Sequence, residues 1–254
     1  MKEIKYISHI SRNFFLYFLL FFAYSLLKDL SLSLWQLFFG LTAFIVSYTP
    51  IYFLNDFIDQ KEDIKHDKAN LYSKISNKYI FWSITILLTI IGFIFSYLLS
   101  KESIVILFSL YLLNYLYSFP PFRLRNKKLL REITIFIIYL LKWVLIILYW
   151  SLSLRYLSLS LILMTSSLAA LSVALYKRHI KNDHFTKIIF GLIFLLSWLY
   201  LMIYNPILRL LLLPLFPAMI FMSIKYKKTQ IPIGLYQAAY FIYSLIIYFT
   251  SLKI

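Results

Sequence analysis

Long apolar stretches recur along almost the whole chain, each interrupted by a charged or proline-containing break. Divided at those breaks, the sequence yields about nine segments near the ~20 residues a helix needs to cross hydrocarbon. They cover 11–27, 34–58, 79–100, 103–119, 132–150, 156–176, 187–204, 207–224 and 231–252. A chain that is 62% hydrophobic and 14% charged over 254 residues cannot hide this much apolar surface in a water-soluble core. The expected fold is all-α: a polytopic membrane bundle of about nine transmembrane helices forming a single domain over 1–254. Phe14 onward reads as a full-length first span rather than a cleaved signal peptide. With no cysteine, thiolate chemistry and disulfides are excluded.

The net charge of +16 would suit nucleic acid, but its distribution points to topology instead. Basic residues crowd alternate connections: Lys61 to Lys78, Arg123 to Arg131, Lys177 to Lys181, and Lys225 to Lys228. The intervening connections carry one each, Lys28, Lys101, Arg155 and Arg209. The positive-inside rule then places the N-terminus in the cytoplasm, with membrane lipids as partners and no nucleic acid. Acidic residues obey a different logic. Asp56, Asp59, Glu62, Asp63 and Asp67 are five of the ten acids, all in one cytoplasmic connection where topology does not require them.

If the second helix continues through them, the i, i+3, i+7 spacing of Asp56, Asp59 and Asp63 brings three carboxylates onto one face. Such a face repels itself unless a cation occupies it. Carboxylates beside Asn55 suit Mg²⁺, a hard cation that takes oxygen ligands and keeps substrate phosphates in its shell. Lys142 is the other anomaly, because it falls near the centre of an otherwise apolar span. A mid-membrane lysine costs at least ~2.5 kcal/mol on insertion scales and normally faces a cavity or a partner. Asn13 and Asn114, also polar within spans, are explained equally well by helix–helix hydrogen bonds. No glycine-rich phosphate loop can be built from four glycines.

The stretch Asn55-Asp-Phe-Ile-Asp59-Gln-Lys-Glu-Asp63 resembles the Asn-Asp-x-x-Asp-x-x-x-Asp signature of the UbiA superfamily of intramembrane prenyltransferases. A second stretch, Tyr117-Ser-Phe-Pro-Pro-Phe-Arg-Leu-Arg125, is similar to the Tyr-Ser-x-Pro-Pro-x-Arg-Leu-Lys segment ending that family's fourth span. The resemblance implies a bundle around a lipid-accessible central cavity, with Mg²⁺ and a diphosphate at its cytoplasmic mouth. It implies transfer of an isoprenoid from a prenyl diphosphate to an acceptor. Asp56, Asp59 and Asp63 would hold the metal, with Asn55, Arg123 and Arg125 near the diphosphate. Tyr139 and Lys142, one turn apart, are similar to a Tyr-to-Lys element of the fifth span.

The family's second acidic motif is reduced here to Asp183, a further expected metal ligand. Lys177, Arg178 and Lys181 stand around it as candidate phosphate contacts. That change brings in the superfamily's phosphoribosyltransferases, which move ribose 5-phosphate from 5-phosphoribosyl diphosphate to a polyprenyl phosphate. Asp63-Ile-Lys-His66 and Lys177-Arg178 are similar to their motifs. A reading from another class is a cation carrier or channel with an acidic mouth.

Overall fold

The computed structural model describes residues 4–28, 32–65, 70–127, 129–150, 152, 158–176, 184–204, 210, 212, 214 and 230–251. Among them there is no strand. The helices are α1 (Ile4–Lys28), α2 (Leu34–Lys65), α3 (Leu71–Lys74), α4 (Lys78–Leu99), α5 (Lys101–Ser118), α6 (Leu130–Tyr149), α7 (Leu159–Tyr176), α8 (His184–Tyr204) and α9 (Gln230–Ser251). Eight of the nine expected spans thus coincide with a long helix. The remaining one, 207–224, is described only at 210, 212 and 214. Among the described residues, four helical segments are long and apolar enough to cross a membrane: Leu34–Lys61, Lys78–Leu99, Leu130–Tyr149 and Phe185–Ile203.

The chain forms two compact units, each assembled from separated segments. The first comprises Met1–Phe14, Leu32–Arg123 and Val144–Leu154. Within it α2 packs on α3, α4 and α5, and α4 packs on α5. The α4–α5 corner needs no loop, because Ser100 ends one helix and precedes the other. Ser103 Oγ closes the corner by donating to the Ser96 carbonyl at 2.8 Å. Where α2 crosses α4, Gly92 lets the backbones approach, and Ser47 Oγ donates to its carbonyl at 3.2 Å. The Tyr149 hydroxyl bridges Ser47 Oγ at 2.9 Å and Ser96 Oγ at 2.6 Å, so all three buried hydroxyls are satisfied.

The second unit comprises Phe15–Ser31, Leu124–Trp143 and Arg155–Ile254. In it α7 packs on α8, and Ala170, Leu171 and Phe190 form a buried cluster joined by Ile133, Phe136 and Ile193. Phenylalanine and tyrosine rings knit α1 to α9, with Phe18 5.4 Å from Phe241 and Phe22 5.4 Å from Tyr248.

The outward faces are apolar. On α4, Ile80, Ile84, Leu87, Ile94 and Leu98 are all exposed, at helical spacing. A stripe of this kind is a penalty in water and the normal surface in lipid, where only the backbone must be satisfied internally.

Candidate functional site

Helix α2 does not stop where its apolar run ends but continues to Lys65, so Asp56, Asp59 and Asp63 lie on helix. Asp56 and Asp63 are each only 7% exposed, and Asp59 is half-buried. The chain returns to this face at Asn70, a 1% exposed residue. Its Nδ2 donates to the Asp56 carbonyl at 2.6 Å and to Asp63 Oδ2 at 3.1 Å. The Leu71 N–H donates to Asp56 Oδ2 at 2.8 Å. Neutral donors therefore take up part of the repulsion that the spacing implied along this face. Among the described residues, no three carboxylate or imidazole groups come together in a way that could hold a metal ion.

The short helix α3 fixes that return. Asn70 Oδ1 caps it by accepting from the Ser73 N–H at 3.0 Å. The Tyr72 ring packs edge-on against Phe57 at 5.0 Å and Phe81 at 4.9 Å. Lys78 sits over the same ring, 4.2 Å from its centroid, and donates to the carbonyls of Tyr72 and Ile75.

The second sequence motif meets the first directly. Ser118, the last residue of α5, donates through Oγ to Asn55 Oδ1 at 2.8 Å. After it the chain turns through Phe119-Pro120-Pro121, and the Arg123 N–H donates to the Phe119 carbonyl at 2.7 Å. Arg123 adopts φ 37°, a left-handed conformation that costs a residue with a Cβ about 1–2 kcal/mol. A glycine would relieve that strain, yet the position carries an arginine. Beside Asn55, between α2 and α5, lies a cavity of about 160 Å³ lined by Ile51, Leu54, Asn114, Tyr115 and Phe119 among others. Asn114 Nδ2 donates across to the Tyr48 hydroxyl of α2 at 3.4 Å, and Asn13 Oδ1 accepts from the Tyr52 hydroxyl at 3.1 Å. Those bonds fit the helix-packing role expected for both asparagines.

In the second unit, Arg125 is buried within a 3₁₀ turn, Leu124–Asn126. Lys142 is 4% exposed in the middle of α6, with Nζ 4.9 Å from the Tyr139 ring centroid. It is thus buried inside the protein and does not reach out to an interface. Lys177, Arg178, Lys181 and Asp183 lie outside the described residues.

Sequence reasoning missed two features. One is Asn70, whose partners stand seven and fourteen positions earlier in the chain. The other is the pair Arg131 and Glu132 in the first turn of α6, buried at 5% and 1% exposure. Arg131 Nε donates to Glu132 Oε1 at 2.7 Å. Opposite charges at the head of an apolar span were its only sequence signal.

No family model and no curated protein matches this chain. Solved structures do. A UbiA homologue from Archaeoglobus fulgidus bound to Cd²⁺ superposes with a TM-score of 0.60 at 14% identity, covering 94% of this chain and 97% of its own. A second structure of a UbiA homologue from Archaeoglobus fulgidus gives a TM-score of 0.57 at 14% identity, with 96% and 99% covered. The long apolar helices and their apolar outward faces make the chain an integral membrane protein. A backbone path shared over nearly the whole length gives it the UbiA fold.

Proposed function

We propose that this protein is a Mg²⁺-dependent membrane prenyltransferase, moving an isoprenoid group from a prenyl diphosphate to an acceptor with release of diphosphate. The observation that carries the reading is the Ser118–Asn55 hydrogen bond, which brings two motifs 63 residues apart to one end of one unit. The carboxylates follow Asn55 along α2, and Arg123 follows Ser118 in the turn after α5.

The donor set suits a hard cation. Asp56, Asp59 and Asp63 offer carboxylate oxygens and Asn55 an amide oxygen, the ligand type that a hard cation takes. No three such groups come together among the described residues, and Mg²⁺ is commonly held by one or two carboxylates plus substrate phosphates. The fold tolerates a divalent ion, since the Archaeoglobus fulgidus homologue is described with Cd²⁺. Bound at this face, Mg²⁺ would neutralise charge on the leaving diphosphate.

The rest falls to the protein's own side chains. Asn55 would orient a phosphate oxygen through its amide while Ser118 fixes the plane of that amide. Arg123 would pair with diphosphate oxygens, and its left-handed backbone is the cost of aiming it. The allylic C–O bond breaks with its electron pair leaving on diphosphate, the acceptor forms the new bond to carbon, and the acceptor releases a proton. The apolar chain would lie among the spans. By the distribution of basic residues, the acidic end opens to the cytoplasm.

Purified protein in lipid nanodiscs, given a radiolabelled prenyl diphosphate and a panel of aromatic and lipid acceptors, is expected to release diphosphate with Mg²⁺ and not with EDTA. Labelling of a polyprenyl phosphate from 5-phosphoribosyl diphosphate instead would replace the donor. Arg123→Gly removes the charge and relieves the backbone, so KM for the donor is expected to rise about tenfold while kcat changes little. An unchanged KM would make Arg123 a topology charge. Lys142 is a separate candidate in the second unit. Lys142→Met is expected to lower turnover at least about tenfold. A variant with full turnover would leave Lys142 without a catalytic part.

A further inference from the structure

The acidic face is held from outside its own helix. Asn70 is almost fully buried and uses both ends of its amide: Nδ2 reaches the Asp56 carbonyl at 2.6 Å and Asp63 Oδ2 at 3.1 Å, while Oδ1 caps α3. Its neighbour Leu71 gives its N–H to Asp56 Oδ2 at 2.8 Å. Two carboxylates two helical turns apart are thereby gripped by consecutive residues of one returning segment. That segment is anchored in turn by Tyr72 against Phe57 and Phe81, and by Lys78 over the Tyr72 ring.

We propose that Asn70 is a positioning residue for the acidic face, and that Asn70 and Leu71 form a latch fixing the rotamers of Asp56 and Asp63 for a divalent cation. The inference rests on the reading of that face as a cation site. A free aspartate on a helix end samples several χ1 and χ2 values, and each must be frozen before a carboxylate can hold an ion in one geometry. Donors from Asn70 and Leu71 each take one oxygen of one carboxylate, and so set the carboxylate planes before the ion arrives. Groups that orient ligands in this way typically contribute roughly 10–100-fold to metal affinity. The latch also ties the start of α3 to the end of α2, so occupancy of the face and order of the returning segment become one equilibrium.

Two substitutions separate the latch from the cap. Asn70→Ser keeps a good N-cap for α3 but is too short to donate to both Asp56 and Asp63. Asn70→Ala removes cap and donors together. The probe is Mn²⁺, titrated into the detergent-purified full chain and followed by the loss of its free-ion electron paramagnetic resonance signal, with hydrogen exchange of the segment from Asn70 to Lys74 read in parallel. Asn70→Ser is expected to lose less of the thermal midpoint than Asn70→Ala, to bind Mn²⁺ at least about tenfold more weakly, and to lose the extra exchange protection that Mn²⁺ confers on the wild type. Asn70→Ala is expected to lose affinity and the midpoint together. Wild-type affinity in Asn70→Ser would overturn the latch while leaving the cation reading intact. A wild-type chain that binds no Mn²⁺ would overturn both.

Discussion

Asp56→Asn is expected to abolish turnover, by at least about a thousandfold, which corresponds to ~4 kcal/mol of lost transition-state stabilisation. The substitution is chosen because Asp56 has a structural duty as well. Its Oδ2 accepts the Leu71 N–H at 2.8 Å, and an asparagine oxygen can accept the same bond. Charge is thus removed while shape and the contact with α3 remain. If Asp56 is a ligand to a divalent cation, a neutral amide in its place weakens the ion and leaves the departing diphosphate uncompensated. Asp59→Asn is expected to behave in the same way. Steady-state diphosphate release, measured beside thermal midpoints in the same detergent, checks both. Turnover within about threefold of wild type in either variant would remove that residue from the site.

The second large effect concerns stability. A Cβ built on Gly92 would stand 2.8 Å from Ser47 Cα, inside any real carbon–carbon contact and against backbone that no side-chain rotation can move. Gly92→Ala must therefore push α2 and α4 apart. It would also stretch the hydroxyl cluster that Ser47, Ser96 and Tyr149 form at the crossing, where the bonds run from 2.6 to 2.9 Å. Overpacking of this kind costs about 1–3 kcal/mol. For a chain this size the thermal midpoint should fall by about 2–4 °C per kcal/mol. Gly92→Leu should prevent folding altogether. Gly191 is the internal control, since nothing lies within 4 Å of its built Cβ. Gly191→Ala should leave the midpoint unchanged or raise it slightly, through the ~0.5–1 kcal/mol that alanine gains over glycine in a helix. Equal midpoints for the two alanine variants would mean that the α2–α4 crossing is looser than the structure shows.

Helix positions were legible because hydrocarbon demands long apolar runs, and the breaks between runs carry charge or proline. Helix ends were less so. Helix α1 begins at Ile4, before its apolar run, and α2 runs on to Lys65, because polar residues with good helical propensity extend a helix beyond the membrane that nucleates it. The acidic face was legible from spacing alone. What relieves its repulsion was not: Asn70 is an ordinary loop asparagine in the sequence, and its role depends on the chain folding back to Asp56 and Asp63. The Asn55–Ser118 contact is likewise a product of α2 packing on α5, visible beforehand only as two motifs that both end apolar spans. Arg131 and Glu132 sat at an expected boundary, where charges normally meet water. Their burial depends on tertiary packing that local pattern does not encode.

The proposed chemistry stands or falls on whether the buried acidic face and the Arg123 turn together hold a prenyl diphosphate. The decisive measurement is diphosphate release from a radiolabelled prenyl diphosphate, followed in nanodiscs for the wild type and for Asp56→Asn with Mg²⁺ or EDTA. Release is expected from the wild type with Mg²⁺, and only background in EDTA and in the variant. Equal release under all four conditions would contradict a metal-held diphosphate at this face.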